Sequence, residues 1–183
     1  MADVGAYDGI TGSNSFYLEE LGWKCLCVEP NGNLLPDLRH RRAMVEHCAC
    51  SDHPGTETLH VHADCPPSFT SLRDNRAVDQ SDPRFGSHNF GFGKNWEEQQ
   101  VQVKTLDSLL ESYGFPQLDV LSVDTEGTEL DVLKGIDIER WHPKVIVAEA
   151  WDHVSPIIPY LHDHHYRFVN RVRVNNLFLY EGA

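Results

Sequence analysis

Two stretches of the chain carry residue types that can do chemistry, at spacings that bring them to one place. The first is Asp3-Val4-Gly5-Ala6-Tyr7-Asp8-Gly9, where a short apolar start gives way to glycine and acid. Glycine lets the backbone approach a ligand closely, and a helix that follows offers free N–H groups. Glu29 comes twenty residues after Gly9. A carboxylate at that place commonly accepts both hydroxyls of a ribose, because it takes two hydrogen bonds at once. The spacing points to a nucleoside cofactor.

Which cofactor depends on the glycines. A dinucleotide fingerprint needs a second glycine that makes room for a pyrophosphate. Tyr7 stands there instead, and Asp3 and Asp8 add negative charge that a pyrophosphate would resist. A sulfonium cation with an amino-acid tail would welcome both carboxylates, so S-adenosylmethionine fits better. Gly5, Ala6 and Gly9 are then expected along the cofactor, Asp3 or Asp8 near its methionine end, and Ser51 or Asp52 near the adenine.

The second stretch is Val123-Asp124-Thr125-Glu126-Gly127-Thr128-Glu129, which follows an apolar run. Asp124 and Glu126 therefore belong at the carboxyl end of a buried strand, where ligands of open α/β sheets bind. Glu129 falls in a first helical turn and reads as a cap. Asp124 is the candidate base, with His153 as a second. Asp124 with Glu126, Glu149 or His153 also offers hard oxygen-rich ligands that suit Mg²⁺ or Mn²⁺ rather than zinc. Among eleven histidines, His60, His62, His162, His164 and His165 read as solvated or capping, and His88 and His153 as the two worth testing as bases.

These residues need elements to hold them. Apolar runs alternate with amphipathic ones: strands are expected over 2–6, 24–29, 44–50, 57–62, 100–104, 118–123 and 145–150. Helices are expected over 13–21, 33–41, 105–113, 128–134 and 155–162. A hairpin over 166–174 and 177–180 should turn at Asn175-Asn176. Such alternation predicts an α/β fold with a mostly parallel sheet. Residues 63–98, rich in Pro, Gly and aromatics, break the pattern and read as a variable loop, a lid or the acceptor region.

At 183 residues the chain suits one domain, 1–183. A net charge of −13 argues against nucleic acid and anionic lipid, although Arg167, Arg171 and Arg173 form a local stripe on one strand face. No apolar stretch approaches the ~20 residues of a membrane span. Cys25, Cys27, Cys48 and Cys50 sit in C-x-C pairs within strand-like runs, which suits buried reduced thiols and a cytoplasmic protein.

The run from Asp3 to Ser15, with Leu18-Glu19, Leu21-Gly22-Trp23 and Val28-Glu29-Pro30, resembles the opening of FkbM-type S-adenosylmethionine-dependent methyltransferases. So do Thr105-Leu106-Asp107 and the run from Asp119 to Gly135. The resemblance covers roughly residues 3–150, with 63–98 unmatched. It implies a Rossmann-like seven-stranded methyltransferase sheet in three α/β/α layers, with an antiparallel C-terminal strand, and it adds Pro30 to the cofactor residues. It also implies O-methylation of a hydroxyl on a sugar, glycan or small metabolite. The chain starts almost at its first loop, so oligomerisation (a homo-oligomer) or the 63–98 loop is expected to cover the site. Two other classes remain at this point: a non-catalytic module of the same fold and a nicotinamide-dependent oxidoreductase.

Overall fold

The near-continuous apolar runs fold as the middle of a sheet. A computed structural model describes residues 1–62, 70–73, 96–150 and 155–182. His88, His153 and most of the 63–98 loop lie outside them. In chain order the elements are β1 (Ala2–Val4), α1 (Phe16–Glu20), β2 (Leu26–Val28), α2 (Leu35–Arg41), β3 (Met44–Glu46), β4 (Ala49–Cys50), β5 (Gly55–His62) and β6 (Thr70–Ser71). They continue with β7 (Trp96–Lys104), α3 (Leu106–Ser112), β8 (Val120–Val123), α4 (Glu129–Lys134), α5 (Ile138–Trp141), β9 (Val145–Glu149), α6 (Ile157–Asp163), β10 (Tyr166–Val172) and β11 (Asn175–Tyr180).

Among the described residues the large sheet has seven strands in the order β10-β11-β9-β8-β1-β2-β3. From β9 to β3 every pairing is parallel, as buried βαβ units require. β11 runs antiparallel between β9 and β10. The result is a mixed α/β fold with a large, mostly parallel sheet. β1 sits at its centre: Val4 pairs with Val28 on one side and Val123 on the other. The carboxyl ends of β1, β2, β8 and β9 therefore share one edge. Leu26, Leu121, Ile146, Leu106 and Leu133 are wholly buried beneath it, each worth about 1.5–3 kcal/mol of apolar burial.

The structure corrects several expectations. Residues 44–50 are not one strand. β3 ends at Glu46 in the large sheet, and β4 pairs with β7 in a second sheet of order β4-β7-β5-β6. β5 and β7 pair over eight positions, Gly55–Val103 to His62–Trp96, so residues 96–98 are strand rather than loop. This second sheet has its own core of Ala49, Leu59, Val61, Val101 and Val103. It also buries His60 and His62, which are not solvated; the His62 ring meets the Trp96 ring edge-on at 4.7 Å. The hairpin turns at Arg173, which takes φ +58°, while Asn176 pairs with Ala148 inside β11. A register shift between Phe168 and Asn170 and the turn at Arg173 break up the expected arginine stripe.

Cys25, Cys27, Cys48 and Cys50 are buried, unbonded thiols, as their spacing suggested. Among the described residues no helix is long and apolar enough to cross a membrane.

Candidate functional site

The loop after β1 leaves the sheet abruptly. Gly5, at φ +84°, lets Gly5 and Ala6 both donate to Val28 O, at 3.0 and 3.1 Å. The same bend brings Gly5 against the next strand: a Cβ there would lie 1.7 Å from Asp124 O. Tyr7, also at positive φ, donates its N–H to Glu29 Oε2, and Asn31 N–H donates to Oε1, both at 2.8 Å. Glu29 is thus fixed by two backbone donors while 4% exposed. Burial outweighs those donors and pushes its carboxyl up to about 7.

Beneath the loop lies a polar network that the sequence did not disclose. Asp3 is buried, and its Oδ2 accepts from the Ser15 and Ser13 hydroxyls. Burial raises the Asp3 carboxyl above its ordinary value despite those bonds. Arg42, whose side chain is wholly buried, ties the assembly together. It donates to Glu19 Oε2, to Gly9 O at 2.9 Å and to Ser15 Oγ at 2.8 Å. Nothing in the run Arg39-His40-Arg41-Arg42 marks the last arginine as the interior one. We expect Arg42→Met to cost about 3–5 kcal/mol, because it leaves buried partners without their cation. Thermal melting checks this, with Arg41→Met as control: Arg41 is a third exposed, and its loss should cost no more than about 1 kcal/mol.

The second stretch forms the opposite wall. Asp124 N–H donates to Val4 O at 2.9 Å, which locks the ends of β1 and β8 together. Glu126 at φ +55° and Gly127 at φ +112° make a tight exit turn. Glu129 is buried and accepts from Thr125 N–H at 3.0 Å and Gly127 N–H at 2.8 Å, so it pins the turn before α4 rather than capping the helix, which has no side-chain cap bond. The Arg73 side chain crosses over Gly127. Asp124, Glu126 and Glu149 converge, with one oxygen from each lying within 4.8 Å of the others. Burial raises all three carboxyls above their ordinary values; a hydrogen bond with Glu149 works against the rise at Asp124, Glu129 and Asp3 add repulsion there, and Asp124 repels both Glu126 and Glu149.

A cleft opens between these walls. Of the sequence-derived cofactor residues, Asp3, Gly5, Ala6, Glu29 and Pro30 line it, as do Asp124 and Glu126. Asp8, Gly9, Ser51 and Asp52 do not. Asp8 instead shapes the loop, accepting from Ile10 and Thr11 N–H and pairing with Arg41. Burial works to raise its carboxyl, but those partners outweigh it and hold it below its usual value. Gly9 packs against Leu38 and Arg42. Ser51 donates its backbone N–H to Lys104 O, and exposed Asp52 pairs with His53. At that end the wall is made by Cys48, Ala49 and Cys50, joined by Leu59 and residues 70–72 of the second sheet. Sequence reasoning missed those, because strand pairing across 40 residues leaves no local periodicity. Asn14, whose side chain donates to Ser122 Oγ at 3.1 Å, was within reach of the Gly12-Ser13-Asn14-Ser15 motif.

Comparison with known proteins agrees with this geometry. The family model described as "Methyltransferase FkbM domain" matches residues 3–169. "Methyltransferase sdnD" of Sordaria araneosa is 32% identical over 108 residues, which is 54% of this chain and 38% of that protein. The chain thus matches little more than a third of that relative's length. No solved structure gives a match.

Proposed function

The chain belongs to the methyltransferase FkbM domain family, and we propose that it transfers the methyl group of S-adenosylmethionine to a hydroxyl of a sugar, glycan or small metabolite. The seven-strand order is read as the Rossmann-like methyltransferase sheet flanked by two helical layers. The observation that carries the proposal is Glu29: a buried carboxylate fixed by Tyr7 and Asn31, lining the same cleft as Asp124. Each Glu29 oxygen keeps a lone pair for a ribose hydroxyl. The narrow bend at Gly5 and Ala6 brings backbone alongside the cofactor, and the buried Asp3 network lies where its cationic end would rest. Cys48, Ala49, Cys50 and Leu59 supply an apolar wall for the adenine.

When bound, the cofactor supplies an activated methyl on a sulfonium. A hydroxyl acceptor would take that methyl with S-adenosylhomocysteine as the leaving product, and Asp124 would receive the acceptor proton. Burial holds the Asp124 carboxyl above its ordinary value, which makes its carboxylate a better proton acceptor. The enzyme's remaining work is alignment and exclusion of water.

Calorimetric titration with S-adenosylhomocysteine tests the reading. Wild-type protein should bind it and not NAD. Affinity should fall as pH drops below about 7, where Glu29 gains its proton. Glu29→Gln should bind about 10- to 100-fold more weakly and lose that pH dependence, since an amide faces one backbone N–H with its own donor. Tighter binding of NAD, or unchanged affinity in the variant, would overturn the proposal.

A further inference from the structure

We propose that Asp124, Glu126 and Glu149 form a binding site for one hard divalent cation, Mg²⁺ or Mn²⁺, at the carboxyl ends of β8 and β9. Three carboxylates from two neighbouring parallel strands each present one oxygen within 4.8 Å of the others. On one octahedral Mg²⁺, cis oxygens lie about 3 Å apart and a trans pair about 4.2 Å apart. Side-chain rotation that draws the trio in from within 4.8 Å would bring all three onto one cation. The all-oxygen, triply acidic set selects a hard ion over zinc or copper.

A separate observation points to the missing partner. Glu149 is 3% exposed; its carboxyl meets that of Asp124 in a hydrogen bond, and its Oε2 is buried with no partner. Native structures rarely leave a buried carboxylate oxygen without a donor unless an ion or water completes it. The backbone also presents this group deliberately. Glu126 is held at positive φ, a conformation unfavourable for a residue with a side chain, and Glu129 ties down the turn around it.

Three protein oxygens leave about half of an octahedral shell open, and Asp124 and Glu126 line the cleft. An acceptor with two adjacent oxygens, such as a vicinal diol, would fill two of the three open positions and leave the last to water, and ligation would favour its ionised form. Asp124 can ligate through one oxygen and take the acceptor proton on the other. This acceptor class rests on the methyl-transfer reading; occupation of the site by an ion does not.

The test is Mn²⁺ binding followed by electron paramagnetic resonance on the full chain. Wild-type protein should quench the free Mn²⁺ signal, and excess Mg²⁺ should restore it. Glu149→Gln should weaken binding about tenfold or more, while Glu20→Gln, an exposed acid on α1, should not change it. Asp124→Asn gives a second reading should Glu149→Gln fail to fold. Free Mn²⁺ in the presence of wild-type protein would overturn the site, leaving a proton shared between Asp124 and Glu149 as the occupant. Equal binding by the Glu149 and Glu20 variants would overturn it as diffuse surface charge. S-adenosylhomocysteine binding measured in EDTA separates the two readings. If it binds and Mn²⁺ does not, only the cation site fails; if Mn²⁺ alone binds, only the methyl-transfer reading fails.

Discussion

Asp124→Asn should lower methyl transfer to a hydroxyl acceptor by about 10²- to 10⁴-fold, the range a positioned general base contributes. Its affinity for S-adenosylhomocysteine should stay within about threefold. The split follows from position. Asp124 hangs from β8 by its own N–H bond to Val4 O, which asparagine keeps. Its side chain stands among Glu126 and Glu149, whereas the Glu29 carboxylate that would hold the ribose is fixed by Tyr7 and Asn31. Asparagine fills the same space but cannot take a proton. Steady-state methyl transfer, calorimetry and a circular dichroism spectrum on one preparation would decide it. A variant that binds the product normally and still turns over at the wild-type rate would end the assignment.

Gly5→Ala should be the most damaging single change to folding, about 4–5 kcal/mol or more, the range reached when a substitution strains backbone and overlaps it as well. A methyl there would sit 1.7 Å from Asp124 O, and the residue is held at φ +84°. The overlapping atom is main chain in the central strand pair, so it cannot swing aside. Gly12 supplies the comparison: it also has positive φ, +69°, but nothing lies within 4 Å of a Cβ placed on it. Gly12→Ala should therefore cost only the conformational penalty, about 1–2 kcal/mol. With about 2–4 °C per kcal/mol for a domain of this size, melting curves should separate the two clearly. Equal melting temperatures would show that the Gly5 approach is not what fixes the loop.

The centre of the large sheet was legible because burial on both faces forces apolar continuity, as in residues 118–123 and 145–150. The glycine loop, Glu29 and the acid trio were legible because strand ends in such sheets face one edge. The second sheet was not. β6 has two residues, β5 alternates like a surface strand, and β3 and β4 form one apolar run that parts only because each finds a different neighbour. Pairing partners are a property of the whole chain, and local periodicity does not record them. Arg42 was hidden for a related reason. Its residue type predicts exposure, and only Glu19, Gly9 and Ser15, brought in from elsewhere, make its burial tolerable.

The central placement of β1 bears on how the molecule is made. Ala2 pairs with Leu121, so during synthesis β1 waits for more than a hundred further residues before its second edge is covered. Contacts of such separation form slowly, because the loop they close must first lose its freedom. Until then the edge of β1 stands open to wrong partners. A nascent chain stalled before β8 should be a substrate for chaperones, and the cleft, walled by both ends of that late pairing, should be among the last features to take shape.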